Sequence, residues 1–433
     1  MNQAPTLSGA TRQARAGGVT LIQLVAADAD GDPLTFRVVG TPVGGTVTFD
    51  DVFARFDIDV AKRGVASFEM VANDGQADSA VARVDVTVFP PFWHALEAQA
   101  GARFVVVDGA PTATGVPVLL RAAPDTLPAR LLSTDRAALR VLEIDGETLP
   151  IDIESFGPGV EVRIWVLLPL VEPGAELFLY GAITGNPFDA QPPSTSTWTS
   201  YDAVYHNADA PMRDATINAF DGIDVGTTAV AAGVVGAARA FGGGQVIVLP
   251  DALGGLLRST RGSVSFFARI DDVSDNLQIA FYAANAPGGE GFGPDREIHL
   301  ALSPVASPPF DLYIEQGDGG ADRLEAVGAT PVTAGVDIHV AGSWATGATT
   351  TTARLAQEGS EVGRDVGVPV DYACGASILL GGPDNPVGGT RDLVGRLDEV
   401  RISDQPRSDA QLRVEALAAR DQLLELVEPF TLP

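Results

Sequence analysis

Apolar side chains recur at every second position in short runs along most of this chain, and glycine, proline and aspartate separate the runs. Val84, Val86 and Val88 alternate with Asp85 and Thr87; Val264, Phe266, Ala268 and Ile270 share one phase. Leu277, Ile279 and Phe281 do the same, as do Ile298, Leu300 and Leu302, then Phe310, Leu312 and Ile314, then Ile338, Val340 and Trp344. A spacing of two places those side chains on one side of a pleated strand. With 48 Gly and 30 Pro in 433 residues, tight turns are plentiful and long helical periods scarce. The expected fold class is all-β, built from many short strands.

Texture divides the chain into three. Residues 1–89 hold six expected strands (21–25, 34–39, 46–49, 53–58, 66–71 and 81–88), enough for an immunoglobulin-like sandwich. Pro90-Pro91-Phe92-Trp93 reads as a stiff boundary. Residues 90–197 form a small β domain with strands expected over 138–144, 149–153, 160–168 and 177–180. Residues 198–433 fit a two-sheet jelly roll closed by a helix over 408–428. Ser408 and Gln411 have capping-box spacing, Leu412, Leu423, Leu424 and Val427 supply apolar positions, and Pro429 ends the helix.

Each segment also carries family words. Ala27-Asp28-Ala29-Asp30-Gly31-Asp32-Pro33-Leu34-Thr35-Phe36, with Gly45-Thr46-Val47, Ser67-Phe68 and Asn73-Asp74-Gly75, resembles the cadherin-like, immunoglobulin-type repeats of bacterial adhesins. Leu149-Pro150-Ile151-Asp152-Ile153-Glu154, Ile164-Trp165-Val166 and Leu177-Phe178-Leu179-Tyr180-Gly181 resemble a bacterial domain of unknown function that precedes laminin-G-like domains. The third segment opens near Trp198 with Ala203-Val204-Tyr205-His206. Its Gly236-Ala237-Ala238-Arg239-Ala240-Phe241-Gly242-Gly243, Leu379-Leu380-Gly381-Gly382 and Leu397-Asp398-Glu399-Val400-Arg401-Ile402-Ser403 resemble a laminin-G-like (concanavalin A-like) jelly roll. The resemblances imply a non-catalytic adhesion or ligand-binding protein, extracellular or at the cell surface. Its expected partner is a glycan or a cell-surface protein. The first five residues carry neither the basic nor the apolar stretch of a secretion signal, so further domains of a longer secreted protein are expected.

Charge narrows the partners. Fifty-six acidic residues against 28 basic ones, with Lys62 the one lysine, give a net charge of −28. Such a surface repels nucleic acid and anionic membranes; it suits calcium, cationic partners or neutral glycans. The apolar run 164–171 is interrupted by Pro169 and too short to span a bilayer, so no membrane insertion is expected. Cys374 stands alone, which leaves no disulfide framework and no thiolate metal site; it reads as a buried filler.

Asp28, Asp30 and Asp74 are the candidate calcium ligands, because clustered carboxylates suit a hard cation and the cadherin-like resemblance permits an inter-domain site. The stretch fails the EF-hand pattern at Pro33 and Val39, and capping of backbone amides is the competing reading. Tyr282, His299, Tyr313 and His339 lie on the strand phase opposite the aliphatic core and are the candidate glycan-binding face; an ordinary half-exposed sheet would look the same. The four histidines, His94 and His206 among them, lack paired spacing for zinc. Glu143-Ile144-Asp145-Gly146-Glu147 could set carboxylates on one strand face, as in laminarinase-type glycosidases, but Asp145-Gly146 reads as a hairpin turn. Gly288-Gly289-Glu290-Gly291-Phe292-Gly293 lacks the following helix of a phosphate cradle. Trp165 and Trp344 read as core. A glycoside hydrolase using Glu143 and Glu147, and a structural stalk or pilus-associated component, are the alternatives to ligand binding.

Overall fold

The computed structural model describes residues 2–431 except 50–52, 61, 63, 90–99, 144–147, 182–190, 207–211, 232, 273–276, 286–295, 305–309, 316–322, 330–331, 369–370, 376 and 383–390. The expected all-β architecture is found: the described residues form seven sheets and three short helices.

In the first unit the strands Ala10–Arg15, Ala82–Phe89, Gly64–Asn73 and Thr35–Val43 form one sheet. Val19–Gln23, Phe53–Ile58 and Gly45–Phe49 form the facing one. The alternation in Ala82–Phe89 turns Val84, Val86 and Val88 into the core, against Phe56, Phe68 and Met70. Phe56 meets Phe68 edge-on at 5.1 Å, a geometry aromatic quadrupoles favour. The first long strand runs parallel to the last, Ala10 opposite Val84.

The middle unit pairs Ala113–Ala122, Val162–Val171 and Ile151–Ser155 in one sheet. Its second sheet has the order Leu139–Glu143, Glu176–Gly181, Ala100–Val106, Leu424–Thr431. The last of these strands corrects the expected helix. Ser408 Oγ accepts from the Gln411 amide and Gln411 Oε1 from the Ser408 amide, so the capping box is present and the helix Asp409–Ala419 forms. It stops there because Asp421 takes a left-handed conformation (φ 58°), and the Asp421 and Gln422 amides turn back to the carbonyls of Ala418 and Leu417. From Leu424, where the strand begins, burial alternates: Leu424 is buried, Glu425 exposed, Leu426 packed inward and Val427 exposed, a period of two that a helix cannot satisfy. Pro429 is tolerated because this strand lies at the sheet edge. The chain thus leaves the third unit and completes the second one, so the expected boundary at 197/198 does not separate two closed cores.

The third unit is the jelly roll. Its eight-stranded sheet runs through Thr228–Val230, Ala238–Gly242, Val394–Ser403, Arg261–Ile270, Ile338–Thr346, Thr351–Gln357 and Ser360–Gly367, with Ala203–Tyr205 also pairing on Val394–Ser403. The seven-stranded sheet orders Ile223–Val225, Val246–Leu249, Ser377–Leu380, Gln278–Ala284, Glu297–Leu302, Phe310–Glu315 and Arg323–Val327. Phe266, Val340, Trp344, Val400 and Ile402 from one sheet meet Phe281, Leu300, Leu312 and Ile314 from the other. Gly342 permits that approach, since a Cβ there would stand 2.9 Å from Leu312 and 3.0 Å from Leu300. One expected phase breaks. A bulge between Ile279 and Phe281 turns Phe281 into the core and leaves Ile279 on the outer face beside Tyr282.

Leu423 and Val427 would share a face of the expected helix (i, i+4), whereas the structure buries the first and exposes the second, so their truncations are expected to differ. Leu423→Ala is expected to cost about 2–5 kcal/mol, as cavities in packed cores do. Val427, half-exposed at the Arg103/Phe104 bulge, is expected to cost no more than about 0.5 kcal/mol when truncated to alanine. Urea unfolding reads both, and equal losses would contradict the assignment.

Candidate functional site

The outer face of the seven-stranded sheet brings together three of the four candidate ligand residues. In register, Tyr282 stands opposite His299, and His299 opposite Tyr313. The His299 and Tyr313 rings stack at 4.7 Å with planes 6° apart. Glu297 Oε1 lies 2.9 Å from His299 Nδ1, and Asp311 Oδ1 lies 3.7 Å from Nε2. Burial pulls the imidazole pKa down, but the two carboxylates outweigh it and hold it above its usual value. Burial raises Asp311 in turn. Tyr282 and His299 are buried, whereas Tyr313 is half-buried with the Arg323 guanidinium 5.8 Å from its ring centre. Tyr313 is therefore the reachable ring, and the other two support it.

His339 lies elsewhere, on the outer face of the eight-stranded sheet. Its ring packs on Phe267 at 5.0 Å, and Nε2 is 3.9 Å from Glu415 Oε2 on the helix Asp409–Ala419. Burial pushes its pKa down to about 4; Glu415 and Glu358 pull upward, and Arg401 and Arg420 add to the depression. The aspartates of the first unit hold backbone. Asp28 Oδ1 accepts from the amides of Asp30 and Asp32, Asp30 Oδ2 from that of Gln3, and Asp74 Oδ1 from those of Gln76 and Ala77. The Asn2 side chain donates to Asp74 Oδ2, and these bonds hold the Asp74 carboxyl below its usual value. Glu143 ends its strand; Asp145, Glu147, His94 and the Gly288–Gly293 stretch lie outside the described residues.

The densest chemistry sits where the middle unit meets the jelly roll. Alternation in Ile151–Ser155 turns Asp152 and Glu154 to one side. Val162–Val171 supplies Trp165, the turn Ser194–Trp198 supplies Trp198, Ala203–Tyr205 leads into His206, and Val394–Ser403 supplies Glu399 and Arg401. His206 Nδ1 lies 2.8 Å from Glu399 Oε1 and 3.4 Å from Glu154 Oε1; Nε2 lies 3.5 Å from Asp152 Oδ2. Trp165 Nε1 donates to Glu154 at 2.5 Å and Trp198 Nε1 to Asp152 at 2.8 Å. Arg401 donates to Glu399 Oε2 at 3.2 Å and lies 4.5 Å from the centre of the Trp165 ring. Beyond it Tyr201 OH and Ser265 Oγ donate to Glu415.

Backbone strain aims Glu399. Its φ is +51°, at a bulge where Ser265 faces Arg401 but Phe267 faces Asp398. Holding a glutamate there costs on the order of 1 kcal/mol or more. The neighbouring Asp398 points the other way, to the Val235 amide at 2.9 Å. Burial raises Glu154 to about 7, against the pull of His206 and with the push of Glu399. Burial also works against charge on His206, yet Glu399 and Glu154 outweigh it and raise the imidazole well above its usual value. Glu399 stays below its usual value because His206 and Arg401 overcome its burial. No local pattern marks this cluster, because its members are scattered along the chain. One signal was present: Asp152-Ile153-Glu154, Ile164-Trp165-Val166 and the Leu397–Ser403 run all carry a family resemblance, Ala203-Val204-Tyr205-His206 opens the third unit, and each delivers a residue here.

The depressed His339 gives a pH signature. Its ordinary value is 6.5 and its folded value about 4, so the unfolded chain takes up the proton first as pH falls through that window. The native state loses on the order of 3 kcal/mol across it from this group. His339→Gln lacks the titration and is expected to gain by about that amount relative to the parent between pH 7 and 4. Urea unfolding at both pH values checks it; parallel losses in the two proteins would refute it.

Residues 2–87 match the family described as bacterial Ig domain, and residues 241–413 match the Concanavalin A-like lectin/glucanases superfamily. No curated protein matches the chain. Among solved structures, domain 4 of AbnA, a GH43 extracellular arabinanase from Geobacillus stearothermophilus in complex with arabinotriose, is similar at 20% identity and TM-score 0.40; the match covers 50% of this chain and 98% of that one. The Ruminococcus gnavus IT-sialidase CBM40 bound to alpha2,3 sialyllactose is similar at 16% identity and TM-score 0.33, covering 41% and 96%. The heptameric SAP-like pentraxin from Limulus polyphemus is similar at 14% identity and TM-score 0.31, covering 41% and 80%. The chain carries a bacterial Ig domain in residues 2–87 and a laminin-G-type, concanavalin A-like domain over residues 241–413.

Proposed function

We propose that this protein binds glycan without transforming it, at the cell surface or outside the cell, through the outer face of the seven-stranded sheet. The observation that carries the reading is the His299–Tyr313 stack flanked by Glu297 and Asp311. An aromatic face offers a sugar ring an apolar platform, and the buried carboxylates of Glu297 and Asp311 hold the His299 ring behind Tyr313. The superfamily described for residues 241–413 is one of lectins and glucanases, which supports sugar as the ligand class. The net charge of −28 supports a neutral sugar over an anionic partner. The bacterial Ig domain supports the surface location. No helix among the described residues is long and apolar enough to cross a membrane.

The test is a glycan array with the full chain, run with calcium and with chelator. Binding to at least one neutral glycan is expected, with Tyr313→Ala weakening it at least about tenfold, or about 1.4 kcal/mol. Laminarin, agar and xylan are expected to release no reducing sugar. Array silence in both conditions would overturn the binding reading, and turnover would replace it with the hydrolase one.

A further inference from the structure

We propose that Glu154, His206 and Glu399 form a binding site for a zinc-class divalent cation, oriented by Asp152, at the junction between the middle unit and the jelly roll. Among the described residues this is the one group of three whose ligand atoms all lie within 4.8 Å of one another. The 2.8 and 3.4 Å separations from His206 Nδ1 to the two glutamate oxygens are close to the edge of a coordination polyhedron with bonds of about 2.0–2.2 Å. A single N–H on Nδ1 cannot serve both carboxylates in line. Two glutamate oxygens converge on that one ring nitrogen, mostly out of water, an arrangement that a cation held among the three atoms would satisfy.

The opposite ring nitrogen gives a second observation. His206 Nε2 is buried without a hydrogen-bond partner and faces Asp152 Oδ2 at 3.5 Å. A cation on Nδ1 fixes the proton on Nε2, where it points at that carboxylate, the carboxylate–histidine–metal arrangement. Each remaining group is held in place. Trp198 fixes Asp152, Trp165 fixes Glu154, and Arg401 occupies Glu399 Oε2, which leaves Oε1 for the ion. The side of the cluster formed by Asp152, Glu154 and His206 is 12–21% exposed and gives a path in, whereas Glu399 closes the other side at 1%. One imidazole and two carboxylates suit zinc or manganese; calcium prefers six to eight oxygens. Because the ligands come from both units, the ion would tie them together and stabilise the native state in proportion to its concentration.

The full chain is treated with chelator, desalted and titrated with Zn²⁺ alone at pH 7.5, then with Mn²⁺ and Ca²⁺ separately. Metal content after desalting, and the midpoint of thermal unfolding, are read in each case. One Zn²⁺ per chain and a raised midpoint are expected, with zinc binding at least about tenfold tighter than calcium. Glu399→Gln is expected to abolish stoichiometric binding. Asp152→Asn, which removes no ligand, is expected to weaken it about 10–100-fold while the far-ultraviolet spectrum is retained. Less than 0.5 equivalent of zinc at about tenfold excess, calcium binding tighter than zinc, or unchanged affinity in Asp152→Asn would each overturn the site. Should Glu399→Gln fail to fold, the Asp152→Asn affinity decides.

Discussion

The buried charge around His206 and Arg401 is the interaction on which the assembly of the middle unit and jelly roll depends. Three carboxylates, an imidazole and a guanidinium lie between sheets that are otherwise aliphatic and aromatic. Each would be costly to bury alone, since an unpaired interior charge is destabilising by several kcal/mol. They are tolerated because each faces an opposite charge or a donor. The same requirement makes the docking specific: a shift by one residue in Ile151–Ser155 would turn Asp152 and Glu154 away and leave Glu399 and His206 facing apolar side chains.

The strand Val394–Ser403 is where this constraint enters the jelly roll. It pairs with Arg261–Ile270 on one side and with Ala238–Gly242 and Ala203–Tyr205 on the other. Its inward residues Leu397, Val400 and Ile402 belong to the jelly-roll core. Its outward Glu399 and Arg401 belong to the junction. The bulge at Glu399 is what allows two adjacent acids, Asp398 and Glu399, to serve different partners on the same strand.

The two outer faces of the jelly roll consequently differ. The eight-stranded sheet is covered by the helix Asp409–Ala419 and the middle unit, with Phe267 sharing a core with Trp165 and Trp198. The final strand Leu424–Thr431 then binds Ala100–Val106 and closes that core from the far end of the chain. The seven-stranded sheet keeps an aromatic and acidic face of its own, with Tyr313 half-exposed.

The sequence by itself determined the fold class, the order of units and most strand phases. Alternation and turn residues are local, and they decide which side of a strand is apolar without reference to any partner. It determined the buried state of Trp165 and Trp344 for the same reason. Local pattern misread 420–428, where Leu423, Leu424 and Val427 fit a helix as well as a strand until Ala100–Val106 offers an edge to pair with. It grouped His339 with Tyr282, His299 and Tyr313 by phase alone, and phase does not say which of two sheets a strand joins. The cluster of Asp152, Glu154, His206 and Glu399 was decided by tertiary structure only. Its members are separated by up to 247 residues (152 to 399), and no local periodicity carries information about charges that meet only when distant strands pack.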